Sequence, residues 1–413
     1  MFKRIAAIGF IVVCTSIAWA ILGSTIVYRT NYSDEQLKSR VSSAWGTAQE
    51  QTPPTAAYQI VSQKQVTSTE DGTAAVRTVE HKTWVTLPLE QTRANAALRL
   101  DYRKKGLLWY STYQVDFSGV YRFSNPSDQA QDVTFRMHLP AGQAVYDDLN
   151  FSVNDVSVAT TNEKNDAVAT ILLQPRQTAA LRVAYRSHGL DNWSYGFGDE
   201  VTQVKDFQLH VTTNFPGFDL LENTLSPTEE VRQKDVLDQK DGWDLVWNYK
   251  NLVSGYHVGI ALPQKLQPGP LAGRISYFAP VSLLFFFFVL FLLTTARGIE
   301  LHPMNYFFLA CAFFSFHLLM AYLVDRISIH VAFAICSLVS IALLVSYLRL
   351  VAGMRAALLE AGLAQFVYLV LFSYAFFFEG FTGLAITIGA ILTLFIAMQT
   401  TARIQWAEKF ATR

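Results

Sequence analysis

"LHPMNYFFLACAFFSFHLLMAYLVD", Leu301 to Asp325, carries no acidic or basic residue other than histidine before its last position. An apolar run of about 20 residues cannot be solvated by water, and as a helix it matches the roughly 30 Å hydrocarbon core of a bilayer. Runs of the same kind precede and follow it. The spacing predicts helices over Ile275–Ala296, Met304–Val324, Ser328–Leu350, Ala357–Phe378 and Phe381–Ala402. Residues 275–402 are therefore expected to form a bundle of five transmembrane helices, followed by a cytoplasmic tail at 403–413.

The N-terminal end repeats the pattern once. Lys3 and Arg4 precede an apolar run from Ile5 to Tyr28, so residues 1–28 read as a cytoplasmic N-terminus and a first transmembrane helix. Ala18-Trp19-Ala20 resembles a signal-peptidase site, but the apolar run continues through Ile21, Leu22, Ile26 and Val27, longer than a signal peptide needs. An uncleaved anchor is the expectation. Six helices put both termini in the cytoplasm. Arg297, Arg349, Arg355, Arg403, Lys409 and Arg413 then fall on the cytoplasmic side, with Arg274 and Arg326 flanking the helices outside, as the positive-inside rule asks.

Between the two apolar regions lies a long polar insert. Of 413 residues, 33 are Lys or Arg and 33 Asp or Glu, and this balance removes the electrostatic reason to expect nucleic acid as a partner. Cys14, Cys311 and Cys336 all lie in apolar runs, so the insert must fold without disulfides. Residues 29–56 read as a short amphipathic helix (Ser33–Gln51, with Leu37, Val41, Ala44 and Trp45 on one side) and a linker. Residues 57–263 alternate in short runs such as "VRTVEHKTWVTL", "LLWYSTYQVDF" and "AALRVAYRSHG". Strands of about 5 to 9 residues joined by turns predict an antiparallel meander, most simply a periplasmic β-sandwich. Pro268 and Pro270 mark a stiff linker at 264–274. The fold class expected is thus an α+β membrane protein: anchor, periplasmic β-rich domain, five-helix bundle.

Several motifs are shared with one family. Leu301–Tyr306 (LHPMNY) and the Phe/Leu-rich helix after it, "WGTAQ" at Trp45–Gln49 and "RIQW" at Arg403–Trp406 sit in an architecture that resembles the CreD family of bacterial inner-membrane proteins. The resemblance implies a role in cell-envelope integrity and leaves the chemistry open.

Catalytic templates are missing from the sequence: no His-Glu-x-x-His, no Gly-x-Ser-x-Gly, no Cys-x-x-Cys, no P-loop. Ser315 and His317 are two apart on a helix and face different ways, so they form no nucleophile–base pair. The expectation is a non-enzyme with no cofactor and no metal. The candidate functional residues are polar groups of the membrane block: His302, His317, Tyr322, Asp325 and Glu379. Asp325 is expected to meet Arg326 or His330, Glu360 to sit beside Arg355 and Arg349, and His302 to cap the helix it precedes. Trp243, Trp247 and Tyr249 share one face of a strand with Leu245, either as core or as a platform for sugar or lipid. The partners expected are the lipid bilayer and an unidentified envelope component or membrane protein. Two functional readings stand: a binding module of the envelope, or a small transporter or intramembrane enzyme using His317 and Asp325.

Overall fold

The computed structural model describes residues 2–402 except 71–72, 106–107, 199–200, 236–239, 300 and 379. Two compact units divide the chain, one of Met1–Gln36, Gly106–Leu108 and Leu266–Arg413, the other of Leu37–Lys105 and Trp109–Lys265.

The first unit is helical. Helix α1 runs from Phe2 to Trp45, 44 residues or about 66 Å, and replaces the anchor and separate amphipathic helix expected from the sequence. Nothing between Tyr28 and Ser33 breaks the backbone ladder, so the Ser33 cap is not used. The helix ends at Gly46, whose φ of +94° is left-handed and whose N–H bonds the Ser42 carbonyl at 2.9 Å. Helix α2 spans Pro268–Arg297, so the expected Pro-rich linker is largely its first turns. Proline at the first helical positions wastes no hydrogen bond, because that N–H would have no partner anyway. Helices α3 (Pro303–Leu323) and α4 (Ile329–Ala352) follow. The fifth span, Ala356–Phe377, is irregular: wide π turns at Ala356–Gly362 and Phe366–Leu371 flank Gln365. A helix over Thr382–Thr401 is the last among the described residues. Among the described residues, six helices are long and apolar enough to cross a membrane.

Their core is aromatic. Along α2 the buried positions Leu271, Ile275, Ala279, Leu283, Phe286, Leu290 and Thr294 recur at helical spacing. Phe286 and Phe313 meet at 5.7 Å, Phe287 and Tyr306 edge-on at 5.3 Å, and Phe316 and Phe333 edge-on at 5.3 Å. Polar groups join the helices between these rings. Gln365 Nε2 donates to Ser340 Oγ at 2.6 Å, and Ser340 Oγ in turn donates to the Ala312 carbonyl at 2.6 Å.

The second unit is β-rich, with three sheets among the described residues. Eight strands form the largest, in the order Glu229–Asp235, Lys240–Ser254, Thr202–Thr213, Leu89–Lys105, Leu108–Ser124, Thr178–Leu190, Tyr146–Val153 and Val156–Ser157. Five antiparallel strands form the second: Thr73–Thr86, Thr55–Glu70, Gln131–His138, Asp166–Leu173 and Thr161–Glu163. A four-stranded sheet of Gln49–Gln51, Asn192–Tyr195, Val258–Ala261 and Asp219–Leu220 completes the unit.

A simple antiparallel meander is therefore not what forms. Thr202–Thr213 runs parallel to Leu89–Lys105, with Leu209 opposite Ala94, and Gln49–Gln51 runs parallel to Asn192–Tyr195. Parallel neighbours need a crossover, and after Thr178–Leu190 the chain passes through Asn192–Tyr195 of the small sheet before re-entering the large one at Thr202. Strands are also longer than expected, 16 residues for Thr55–Glu70 and 17 for Leu108–Ser124. Inward residues of the large sheet (Phe117, Tyr121, Leu181, Val183, Leu209) and of the five-stranded sheet (Val133, Phe135, Ala167) share one hydrophobic core.

Candidate binding groove and intramembrane polar groups

In the helical unit each predicted polar residue has a place. His302 caps α3, its Nδ1 accepting the Met304 N–H at 3.2 Å. His317 is buried in α3, 1% exposed, against the rings of Phe316 at 4.9 Å and Trp19 at 5.5 Å. Its Nδ1 lies 3.4 Å from the Phe313 carbonyl, and its Nε2 has no hydrogen-bond partner among the described residues; neither has Trp19 Nε1.

Asp325 pairs with Arg29 of α1, not with Arg326 or His330. Because α1 continues past Tyr28, Arg29 stays helical and reaches that carboxylate, while His330 packs on Phe377 at 5.1 Å. The Arg29 guanidinium also lies 5.8 Å from the ring centroid of Tyr322, itself exposed. Tyr322 and Asp325 are thus brought together by a third residue, and His317 is not joined to them. Eight residues along a helix separate His317 from Asp325 by about 12 Å. Glu360 likewise departs from expectation and pairs with Arg297 at the end of α2 instead of Arg355 or Arg349. Glu379 lies outside the described residues. These contacts hold helices together; among the described residues they assemble no nucleophile with a base, and no three metal-binding side chains gather.

The aromatic face of Lys240–Ser254 belongs to the β core. Trp247 is fully buried and its Nε1–H donates to the Leu225 carbonyl at 2.8 Å. Trp243 packs edge-on to Phe218 and donates to the Pro216 carbonyl at 3.0 Å; the Tyr249 hydroxyl donates to the Ser226 carbonyl at 3.4 Å. Partners of this kind leave little free ring face for stacking a ligand.

A different place in the β unit has the character of a binding site. Pro53 and Pro54, which lack N–H groups, end the short strand Gln49–Gln51 and turn the chain into Thr55. Leu87-Pro88 joins two strands, its Leu87 N–H bonded to the Ala56 carbonyl at 2.8 Å. Gly198, at φ +128°, lets the chain after Tyr195 swing clear before Thr202. Between these turns opens a groove of about 700 Å³. Its floor is aromatic: Phe123, Tyr195 and Phe207 are buried, with Phe197 edge-on to Phe207 at 4.9 Å.

Threonine hydroxyls, His138 and Lys205 line the groove as well, and no carboxylate does so among the described residues. His138 Nδ1 bonds Asp166 at 2.7 Å, and Arg136 bonds the same carboxylate at 2.9 Å. Burial works to raise the Asp166 carboxyl, but those two hydrogen bonds outweigh it and hold it below the ordinary range. Burial also keeps the Tyr195 phenol protonated far beyond neutral pH, so it serves as a donor, toward Tyr121 at 3.4 Å. An apolar floor with hydroxyl and cationic walls suits an apolar or anionic ligand.

The Trp45–Gln49 motif has a structural use that its sequence does not announce. Arg103 lies 3.3 Å over the Trp45 ring, and the Gln49 amide donates to Ser187 Oγ and to the His188 carbonyl, both at 2.8 Å. Gln51 accepts from the buried Tyr185 hydroxyl at 2.6 Å. Two glutamines at alternate positions before Pro-Pro were the only signal that this segment enters a core.

The protein-family model described as Inner membrane protein CreD matches residues 1–190 and 247–407. No curated protein matches the chain. Among solved structures, a crystal structure from Legionella pneumophila described as a "putative nutrient binding protein" is similar over 58% of this chain and 76% of its own, at 11% identity and a TM-score of 0.33. A similarity of that size assigns neither fold nor ligand.

Proposed function

Because the chain belongs to the CreD family of inner membrane proteins, we propose that it maintains the bacterial envelope by binding, without catalysis, through the groove of its β unit. In this reading the six apolar helices span the inner membrane with both termini in the cytoplasm. The β unit, packed as a sandwich, stands in the periplasm. The observation that carries the proposal is the groove itself: about 700 Å³, aromatic floor, threonine, His138 and Lys205 on the walls. Its ligand is an apolar or anionic envelope component, or an extended segment of a partner protein.

Photo-crosslinking in living cells tests this. Probes at Leu89, Phe197 and Lys205 are expected to recover one common molecule, which probes at the exposed Val231 on the edge strand do not. Recovery of a small molecule or lipid solely from probes around His317 would overturn the proposal. That outcome belongs to the second reading, a transporter or intramembrane enzyme. It is favoured by one observation, that Trp19 Nε1, His317 Nε2 and Gln365 Oε1 are buried without partners among the described residues. Under that reading His317→Ala abolishes function while groove substitutions are tolerated.

A further inference from the structure

The end of the strand pair Leu89–Lys105 and Leu108–Ser124 gathers cations and aromatic rings. Lys265 Nζ lies 3.9 Å from the ring centroid of Trp109 and 4.6 Å from that of Tyr102, and Lys104 Nζ lies 5.9 Å from Trp109. Tyr102 and Ser111 both donate to the Pro263 carbonyl, at 3.1 and 2.7 Å, which ties the segment before Lys265 to the strand end. The nearby carboxylates are already engaged, Asp101 with Arg103 at 2.7 Å and Asp191 with Lys38 at 2.6 Å. Lys104, Lys105 and Lys265 are exposed and have no carboxylate partner among the described residues. Two charges without a carboxylate partner among the described residues, Lys104 and Lys265, are thus held beside two aromatic rings.

Chain connectivity says what surrounds them. Pro268 opens α2 three residues after Lys265, and three residues reach at most about 11 Å. At 30 residues α2 is about 45 Å long, some 15 Å more than the hydrocarbon core of a bilayer. The exposed Arg274 marks where the apolar part begins, so in the membrane-spanning reading of α2 its first turns reach the headgroup layer. Lys265 is thus within about 11 Å of the start of α2 by connectivity alone, and its ring contacts keep Tyr102 and Trp109 beside it.

We propose that Lys104 and Lys265, with Trp109 and Tyr102, bind the phosphate of an anionic phospholipid in the outer leaflet of the membrane that α2 spans. This rests on the membrane-spanning reading of α2 and is independent of the groove. Cation–ring contact leaves ammonium N–H groups free for phosphate oxygens, and Trp and Tyr settle at the headgroup boundary.

The test uses the full-length protein in uncharged detergent. Thermal stability is followed while phosphatidylglycerol, phosphatidylcholine or inorganic phosphate is added. Phosphatidylglycerol is expected to stabilise the native chain saturably, with phosphatidylcholine and inorganic phosphate without effect. The Lys104→Gln, Lys265→Gln variant should weaken the phosphatidylglycerol response on the order of 30-fold at low salt. The corresponding double arginine variant should keep it, which separates lost charge from lost folding. A native chain that does not distinguish the two lipids, a glutamine variant with undiminished response, or an arginine variant without one would each overturn the proposal. Equal stabilisation by inorganic phosphate would replace the lipid by a free anion and overturn it too.

Discussion

The helical unit and the β unit sort their residues by different rules. On α4, Leu338 is 71% exposed while Ser340, two residues on, is fully buried; Gln365 and His317 are buried as well. On the strand Lys240–Ser254, Leu245 and Trp247 are buried and Asn248 and Lys250 are exposed. Water orients a strand by driving its apolar side chains inward. A lipid-like surrounding puts no penalty on an outward leucine, so small and polar groups that pack closely or share a hydrogen bond join the aromatic and aliphatic residues of the interior. The difference teaches that an exposed leucine or a buried serine is ordinary in one part of the chain and costly in the other.

The sharpest way to break this comparison is a pair of truncations. Trp247→Ala should cost the β unit about 3 to 5 kcal/mol in denaturant unfolding. Leu338→Ala should leave the helical unit within about 0.5 kcal/mol, because it packs against nothing inside. Comparable losses at both sites would show that the helical unit is packed like a water-soluble one. A smaller effect is expected at the Gly46 turn. There φ is +94° and a Cβ would collide with the His188 carbonyl, so Gly46→Ala should cost at least about 1 to 2 kcal/mol in the same assay.

Ser340→Ala, which takes the partner from the Gln365 amide, should cost about 0.6 kcal/mol and no more than about 1.7 in a detergent-unfolding titration. A larger loss would mean that buried polar bonds count for more in this bundle than in others. The smallest effect is pH-dependent. Asp166 has a folded pKa depressed below its unfolded value of 3.8, so its contribution is present above that value and disappears as pH falls through the folded pKa. The melting temperatures of the native chain and Asp166→Asn should therefore differ at neutral pH and converge on acidification. A gap that persists in acid would assign the stabilisation to something other than the charge.

The helical spans were legible because length and apolarity alone identify them. Their ends were not: α1 runs on to Trp45 because no proline or glycine after Tyr28 interrupts its ladder, and α2 takes into its first turn the prolines that read as a linker. The strand face of Trp243, Trp247 and Tyr249 was legible from its alternation. The groove was not, since Pro54, Leu89, Phe123, His138, Phe197 and Lys205 come from separate segments that no local pattern connects. Nor could Asp325 be given its partner, because Arg29 lies 296 residues away in the chain.

Sequence alone sufficed for the family, the apolar helices and the β-rich insert, since each rests on composition, period or motif within a window of a few tens of residues. Strand order, the two parallel pairings, the groove and the ion pairs of Asp325 and Glu360 were settled by the fold. Each depends on which distant segments meet, and that choice is made by the burial and hydrogen-bond satisfaction of the whole chain, to which no single window has access.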